Sequence, residues 1–211
     1  MLNRSLSQKK LFAENNKQLD PWNWVWQSHE GDRPEDAEEI SLADAVHWLH
    51  VERLCRIIPV AVIGPREPEA YQMDVALELG EALATLGLTV LCGGKGGVME
   101  ATAKGVHNKG GMTIGLVPDE NWTMCNPYID IPLATGIGPA RNALITRAAL
   151  ALVAVGGQYG TISEVAYGLQ FGKPVFGLAG APDIEGAQQM ERVEDVVSAL
   201  LPILLRLEQL S

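Results

Sequence analysis

The sequence lacks three features that would each point to a particular class of protein. No apolar run is long enough for a membrane-spanning helix, and the first 16 residues contain no apolar segment typical of a secretory signal. The three cysteines, Cys55, Cys92 and Cys125, form no CxxC pair and no cluster with histidine, so we expect reduced thiols in a cytoplasmic protein without structural zinc. The net charge of −10 opposes binding to nucleic acid or to an anionic membrane. A small anionic ligand is still compatible with it, because local amides and a few arginines decide such binding.

The apolar content of the chain is sufficient for one hydrophobic core. Its 211 residues are 47% hydrophobic, which predicts one domain with an appendage. We therefore expect an N-terminal extension over residues 1–56 and a nucleotide-binding domain over residues 57–211. Residues 1–20 are mostly polar and predict a mobile tail or one that lies on the surface.

The rest of the extension contains a tryptophan-rich segment and a helix. Trp22, Trp24 and Trp26 alternate, which would place them on one face of an extended segment that packs against the chain's own core or a second subunit. Ser41 can cap the following helix, on which His47 and His50 lie one turn apart. The two histidines are either part of a metal site or solvated side chains, and the sequence offers no third ligand.

From residue 57 onward, short apolar segments alternate with amphipathic ones. Strands are predicted at 59–64, 88–94, 112–118, 129–133, 151–155 and 175–178. Helices are predicted over 71–86 and 193–207 and from residues 97, 139 and 161. This alternation predicts an α/β fold, a Rossmann-like doubly wound parallel sheet. The last helix contains more leucines than one apolar stripe needs, which favours contact with a partner as well as with the core.

Two glycine-rich turns each follow a predicted strand and open a predicted helix. They read GGKGGVMEA at 93–101 and GGQYGTISE at 156–164. Glycine lets the backbone approach a ligand, and the free N–H groups at a helix start attract anions, so both turns indicate a site for a phosphate-bearing ligand. Neither turn has the GxGxxG spacing with a ribose-binding acid, so the pattern favours a ligand of mononucleotide size.

Three polar side chains beside these turns each have a structural and a functional interpretation. Thr161 is the expected N-cap of its helix, and Glu164 either completes a capping box with it or is a catalytic carboxylate. Arg141 falls in the first turn of another helix, where a cation opposes the helix dipole. It is therefore either a solvated arginine or one that a carboxylate or an anionic ligand holds.

The two glycine turns, with Arg141 between them, resemble the LOG family, formerly called lysine decarboxylase-like. This family includes the cytokinin-activating nucleoside 5'-monophosphate phosphoribohydrolases and the molybdenum cofactor carrier proteins. The resemblance covers residues 59–180 and implies a Rossmann-like fold that assembles as a homodimer or a dimer of dimers. The sequences GGVME at 96–100 and ARN at 140–142 resemble the carrier branch.

The chain departs from the pattern P-G-G-x-G-T-x-x-E of the phosphoribohydrolases at two positions of the second turn. Gly156 replaces the proline and Gln158 replaces a glycine, whereas Gly160, Thr161 and Glu164 match. In addition, Asn142 replaces the lysine that follows the arginine in the enzymes.

The resemblance implies two functions from different classes. As a carrier-like protein, the chain binds a phosphate-bearing pterin or purine monophosphate. As a phosphoribohydrolase, it cleaves the N-glycosidic bond of a nucleoside 5'-monophosphate, with Arg141 and Glu164 as catalytic residues. A third interpretation is a nucleotide-binding regulator that uses the tryptophan segment as a contact surface.

No cofactor is required in either case, and molybdenum cofactor or a nucleoside monophosphate would be bound as a ligand. The expected partners are therefore this small ligand and a second copy of the chain, without nucleic acid or membrane. The residues expected to bind the ligand are Gly64, Gly93, Gly94, Gly97, Met99, Arg141, Gly156, Gly157, Tyr159, Gly160 and Thr161.

Overall fold

The computed structural model describes residues 1–14 and 16–210, which fall into two compact units. The larger unit is Ile58–Val197, and the smaller one combines Met1–Ile57 with the segment that begins at Ser198. The smaller unit is thus built from two separate parts of the chain. The proposed division into residues 1–56 and 57–211 stays a prediction.

The smaller unit contains a five-stranded antiparallel sheet, a helix that follows the sheet in sequence and the end of the last helix of the chain. Its strands are β1 (Leu2–Ser5), β2 (Lys10–Ala13), β3 (Lys17–Asp20), β4 (Val25–Ser28) and β5 (Glu38–Ile40), and the helix that follows the sheet is α1 (Leu42–Val51). The strands are ordered β4-β3-β2-β1-β5, and each pairs with its neighbours in antiparallel register. As predicted, Ser41 caps α1, and its side chain accepts a hydrogen bond from the Asp44 N–H.

The predicted polar tail over residues 1–20 is wrong, because three of these strands lie within it. Leu2, Leu11, Phe12 and Leu19 are all buried. Each strand has only four residues, so its few apolar side chains give no periodic signal, and pairing between strands decides the structure.

The three tryptophans do not lie on one face of an extended segment, so that prediction is wrong, although two of them do pack within the chain. Residues 21–24 form a turn in which Trp24 has a φ of +55°, and only Trp26 lies in β4. The indole N–H of Trp24 donates to the Arg56 carbonyl at 2.8 Å, and that of Trp26 donates to the Leu205 carbonyl at 2.8 Å. Both rings are buried, whereas Trp22 is 57% exposed. Leu200, Leu204 and Leu205 are buried too, so the last helix does not present the surplus of exposed leucines that we expected.

The two histidines of α1 have different environments. His50 is buried, its Nδ1 lies 2.8 Å from the Val46 carbonyl oxygen, and burial lowers its pKa. The expectation of a solvated side chain is therefore wrong for His50, although His47 is exposed. Within residues 1–14 and 16–210, no three His, Cys, Asp or Glu side chains are grouped so that they could hold a metal ion. In the same residues, no helix has the length and apolar character needed to cross a membrane.

The larger unit alternates strands and helices as the sequence predicts. The strands are β6 (Val60–Ile63), β7 (Thr89–Cys92), β8 (Met112–Val117), β9 (Ile131–Ala134), β10 (Leu152–Val155), β11 (Val175–Leu178) and β12 (Gln188–Gln189). The helices are α2 (Ala70–Thr85), α3 (Val98–Asn108), α4 (Asn142–Ala148), α5 (Tyr159–Gln170) and α6 (Val193–Leu204), the last of which continues into the smaller unit. Short 3-10 turns span Trp122–Met124, Gly138–Arg141 and Leu207–Leu210.

All seven strands are parallel, in the order β12-β11-β10-β6-β7-β8-β9. Every residue of β6, β7, β10 and β11 is buried, which is typical of a sheet covered by helices on both faces. The predicted α/β class with a Rossmann-like doubly wound sheet is confirmed. From β6 the chain winds outward through β7 and β8, and later winds the other way through β10 and β11. The switch point of the sheet therefore lies between β6 and β10, where ligands bind in open α/β sheets.

Candidate functional site

A cavity of about 650 Å³ opens at the carboxyl ends of β6, β7, β8 and β10. This is the edge and the switch point at which the fold predicts a ligand site, and the volume is within the range of small-molecule pockets. The cavity is lined by Ile63, Gly64, Pro65, Arg66, Glu67, Gly93, Met99, Pro118, Asp119, Gly138, Pro139, Arg141, Asn142, Gln158, Gly160, Thr161 and Glu164.

The structure brings seven of the residues singled out from the sequence to this cavity. They are Gly64, Gly93, Met99, Arg141, Gly160, Thr161 and Glu164. Five others, Gly94, Gly97, Gly156, Gly157 and Tyr159, do not line it.

Four of these five residues allow other parts of the chain to pack closely. A Cβ on Gly97 would overlap the carbonyl oxygens of Pro65 and Arg66, and one on Gly94 would lie 3.1 Å from Cys125 Sγ. Gly156 packs against the Gln72 side chain, and Gly157 packs against Pro182. The fifth, Tyr159, is 91% exposed.

Arg141 and Glu164 form a buried ion pair in the cavity wall. Arg141 Nη1 lies 3.2 Å from Glu164 Oε1, and the two side chains are only 7% and 8% exposed. Arg141 Nη1 also donates to Asn142 Oδ1 at 2.7 Å, and Nη2 donates to the Gly93 carbonyl at 3.4 Å. The sequence left open whether Arg141 is solvated, held by a carboxylate or held by an anionic ligand. In this structure a carboxylate, that of Glu164, holds it.

Burial sets the protonation of this pair. It raises the pKa of Glu164 to about 7, against the opposing effect of the Arg141 guanidinium. Burial also lowers the pKa of Arg141, an effect that Glu164 partly reverses. The Glu164 carboxyl therefore changes charge near neutral pH inside a cavity that a ligand can enter.

The helix after the second glycine turn begins at an earlier residue than the sequence predicts. The N-cap of α5 is Gln158, in an extended conformation, and the helix begins at Tyr159. Thr161 is therefore a buried residue of the first turn, and the expected capping box between Thr161 and Glu164 does not form. The first backbone bond within the helix runs from the Ile162 N–H to the Gln158 carbonyl at 2.9 Å. The N–H groups of the first three helical residues precede it, so they have no acceptor within the helix and are suited to an anion.

The first glycine turn is held in place by the segment that follows β8. The Asn126 N–H donates to the Gly94 carbonyl at 2.8 Å, and Asn126 Nδ2 donates to the Lys95 carbonyl at 2.9 Å. Lys95 Nζ donates to the Met124 carbonyl at 3.3 Å and pairs with Asp119, whose pKa it lowers. One wall of the cavity is thus fixed by contacts between parts of the chain that are distant in sequence.

Sequence reasoning did not assign ten of the seventeen lining residues to the site, and Arg66, Asn142 and Gln158 are three of these. Asn142 stands where the phosphoribohydrolases have a lysine. Its Oδ1 accepts a hydrogen bond from Arg141, and its Nδ2 donates to Ser163 Oγ at 3.1 Å. Gln158 also lines the cavity and stands where the phosphoribohydrolases have a glycine. Arg66 lies in the loop between β6 and α2, and the position of that loop after a buried strand is the one signal that could have identified it.

Comparison with known proteins identifies relatives for most of the chain. The family model described as LDcluster4, SLOG cluster4 family, matches residues 57–201. An uncharacterized protein of Archaeoglobus fulgidus is 41% identical over 143 residues, which are 68% of this chain and 94% of that protein. A probable cytokinin riboside 5'-monophosphate phosphoribohydrolase of Oryza sativa is 30% identical over 54% of this chain, and the match spans only 47% of the rice protein.

Two solved structures are similar over almost their whole length. The molybdenum cofactor carrier protein of Chlamydomonas reinhardtii aligns with a TM-score of 0.66 and 34% identity, covering 71% of this chain and 99% of that one. The molybdenum cofactor binding protein of Rippkaea orientalis aligns with a TM-score of 0.67 and 29% identity, covering 70% of this chain and 98% of that one.

Proposed function

Because this chain belongs to the SLOG cluster4 family, we propose that it binds a phosphate-bearing, nucleotide-like small molecule in the manner of a molybdenum cofactor carrier. The ligand is a pterin or a purine monophosphate, held as cargo rather than as a resident cofactor. The observation that carries this proposal is the cavity at the switch point, where the start of α5 meets a buried threonine and a buried arginine. The similarity to the two molybdenum cofactor-binding structures supports it.

The donors around the cavity suit a phosphate group. The free N–H groups at the start of α5 offer an anion site beside the Thr161 hydroxyl. Gly93 and Met99 form the wall across from them. Arg141 Nε is buried and has no hydrogen-bond partner among the described residues, so it is a donor that a ligand can satisfy.

We expect Thr161→Val to weaken binding of AMP by roughly 1.5–3 kcal/mol, the contribution of a hydrogen bond to a charged group. Thr146→Val is the matched control, because Thr146 is also buried in a helix but its hydroxyl donates to the Ala143 carbonyl at 3.0 Å outside the cavity. This control is expected to lose about 1 kcal/mol of stability and no affinity. Calorimetric titration of AMP into the three proteins measures the effect. Equal affinity of the wild type and Thr161→Val would rule out this phosphate site.

A second candidate function is hydrolysis of nucleoside 5'-monophosphates. The Arg141–Glu164 pair favours it, because a carboxyl with a pKa near 7 in a ligand cavity is suited to acid–base catalysis. The rice relatives are named for this reaction. The matches span about half of those proteins, at 47% and 57% of their lengths.

We expect the wild type to release no free base from a panel of purine and pyrimidine monophosphates, and Glu164→Gln to keep its affinity for AMP. Glutamine preserves the shape and much of the hydrogen bonding but removes the charge that would stabilise a developing cation. Chromatography of the reaction mixtures measures base release. Multiple-turnover release that Glu164→Gln abolishes would instead assign the hydrolase function.

We also propose self-association as a homodimer or a dimer of dimers, in the cytoplasm and without nucleic-acid or membrane partners. The tryptophans no longer support it, since two of the three are buried within the chain. Exposed apolar side chains on α4 and α5 do support it, namely Leu144, Tyr159 and Ile162. Light scattering at micromolar concentration tests this, and a monomer would contradict it.

A further inference from the structure

Arg66 lines the cavity and has no ion-pair partner among residues 1–14 and 16–210. Of the other two cations beside the cavity, Lys95 pairs with Asp119 and Arg141 pairs with Glu164. The Arg66 side chain is exposed and lines the cavity, and no hydrogen bond or ion pair involves it in the part of the chain that the structure describes. Glu67 also lines the cavity but does not pair with Arg66 in the described structure. A guanidinium in this position suits a planar anionic group such as a phosphate.

Contacts of its backbone place Arg66 on the wall opposite the second glycine turn. The Pro65 carbonyl accepts a hydrogen bond from the Val98 N–H at 3.1 Å, and the Arg66 carbonyl packs against Gly97. The loop is thereby fixed to the start of α3, which follows β7. Helix α5 follows β10, and β7 and β10 lie on opposite sides of β6. Arg66 is thus part of the α3 side of the cavity, whereas the free N–H groups of α5 lie on the other side.

Electrostatic effects agree with this placement. Lys95 contributes most to the lowered pKa of Asp119, and Arg66 contributes in the same direction. Asp119 follows β8, which lies on the same side of β6 as β7, the strand that precedes α3. Arg66 also contributes to the lowered pKa of Arg141, whose main cause is burial. The charge of Arg66 therefore acts inside the cavity and not only at the outer surface.

We propose that this cavity binds a nucleotide with a second phosphate more tightly than it binds the monophosphate, and that Arg66 binds this second phosphate. This inference rests on the proposed function, which assigns the first phosphate to the start of α5. The ligand class is then a mononucleotide with a second phosphate, either a nucleoside 5'-diphosphate or a nucleoside 3',5'-bisphosphate. Arg141 also lines the cavity, and its buried Nε, which has no partner among the described residues, is a further donor for the ligand.

Titration of AMP, ADP and adenosine 3',5'-bisphosphate into the full chain at constant ionic strength tests the proposal. We expect one of the two ligands with a second phosphate to bind about 10–100 times more tightly than AMP, since a charge-assisted contact contributes on that scale. Arg66→Gln should remove this gain and change the affinity for AMP less than about threefold. Lys104→Gln is the matched control, because it removes the same charge from an exposed position on α3 that does not line the cavity, and it should leave all three affinities unchanged.

The three ligands separate this inference from the function on which it depends. Binding of AMP that Thr161→Val weakens, with no gain from a second phosphate, would overturn the inference and leave the proposed function standing. An equal loss of affinity for all three ligands in Arg66→Gln would also overturn it, because Arg66 would then act on the first phosphate. No binding of any of the three ligands by the wild type would overturn both.

Discussion

Arg141→Met is expected to destabilise the protein by about 3–5 kcal/mol at pH 9 and by much less at pH 5. The substitution removes one partner of the buried ion pair and leaves the Glu164 carboxyl without its cation. At pH 9 the folded variant must either keep an uncompensated buried charge or bind a proton, and both cost free energy. At pH 5 the carboxyl is protonated in both proteins, so most of the cost disappears.

The direction of this pH dependence follows from the pKa of Glu164. Burial raises this pKa from 4.5 to about 7 in the folded protein, so the stability contributed by the neutral carboxyl is full below 4.5 and lost as the pH rises through 7. Arg141 opposes the rise, so its removal moves the folded pKa still higher. Above pH 7, the wild type stops binding the proton while the variant continues to bind it. The difference between their free energies of unfolding should therefore grow by about 1.4 kcal/mol per pH unit.

Urea unfolding at pH 5, 7 and 9 measures this difference. Arg192→Met is the matched control, because Arg192 pairs with Asp195 at 3.0 Å with side chains that are 69% and 36% exposed. An exposed pair is screened by solvent and should contribute little to stability. The double variant Arg141→Met/Glu164→Gln should lose the extra pH dependence. A cost that is the same at pH 5 and pH 9 would contradict the interpretation of a buried carboxylate.

Gly97→Ala is expected to lower the free energy of unfolding by roughly 2–6 kcal/mol, the sum of backbone strain and overpacking. Gly97 has a φ of +72° and a ψ of −134°, a conformation that residues with a Cβ rarely adopt. The added Cβ would also overlap the carbonyl oxygens of Pro65 and Arg66. In any folded variant, the loop that carries Arg66 must move away from the start of α3.

Gly110→Ala separates the two contributions, because Gly110 has a similar φ of +69° but no atom within 4 Å of an added Cβ. It should lose only about 1–2 kcal/mol, the cost of a left-handed conformation. Thermal and urea unfolding of the two variants provide the comparison. Similar losses would show that the contact between this loop and α3 is not tightly packed.

The larger unit could be predicted from the sequence because its signals are local. Val175–Leu178 is a continuous apolar segment, and the observed strand has the same bounds as the predicted one. The strands of the smaller unit could not be predicted in this way. Lys17–Asp20, for example, has one buried apolar residue, Leu19, and forms a strand because its neighbours pair with it.

The candidate site shows the same limit at the level of single residues. The family resemblance implies a joint role of Arg141 and Glu164 in the enzymes, and in this structure the two side chains form an ion pair. It also predicted Thr161 as the N-cap, but Gln158 adopts the extended conformation that begins the helix, and no residue preference at Thr161 reveals that choice. Arg66 lies outside both glycine-rich motifs. Its position depends on a loop packing against Gly97, a contact between segments that are about 30 residues apart.

Because the smaller unit is built from two separate parts of the chain, it can be completed only after the larger unit has been translated. Its first 57 residues leave the ribosome before the larger unit, but they are completed only by the segment after residue 197. Trp26 shows the dependence, since its indole N–H donates to the Leu205 carbonyl and its backbone N–H donates to Gln209 Oε1 at 3.0 Å. Domains generally fold as units while the chain is translated. The larger unit can thus fold on the nascent chain while Trp26 still lacks its two acceptors, so the unit that is translated first is completed last.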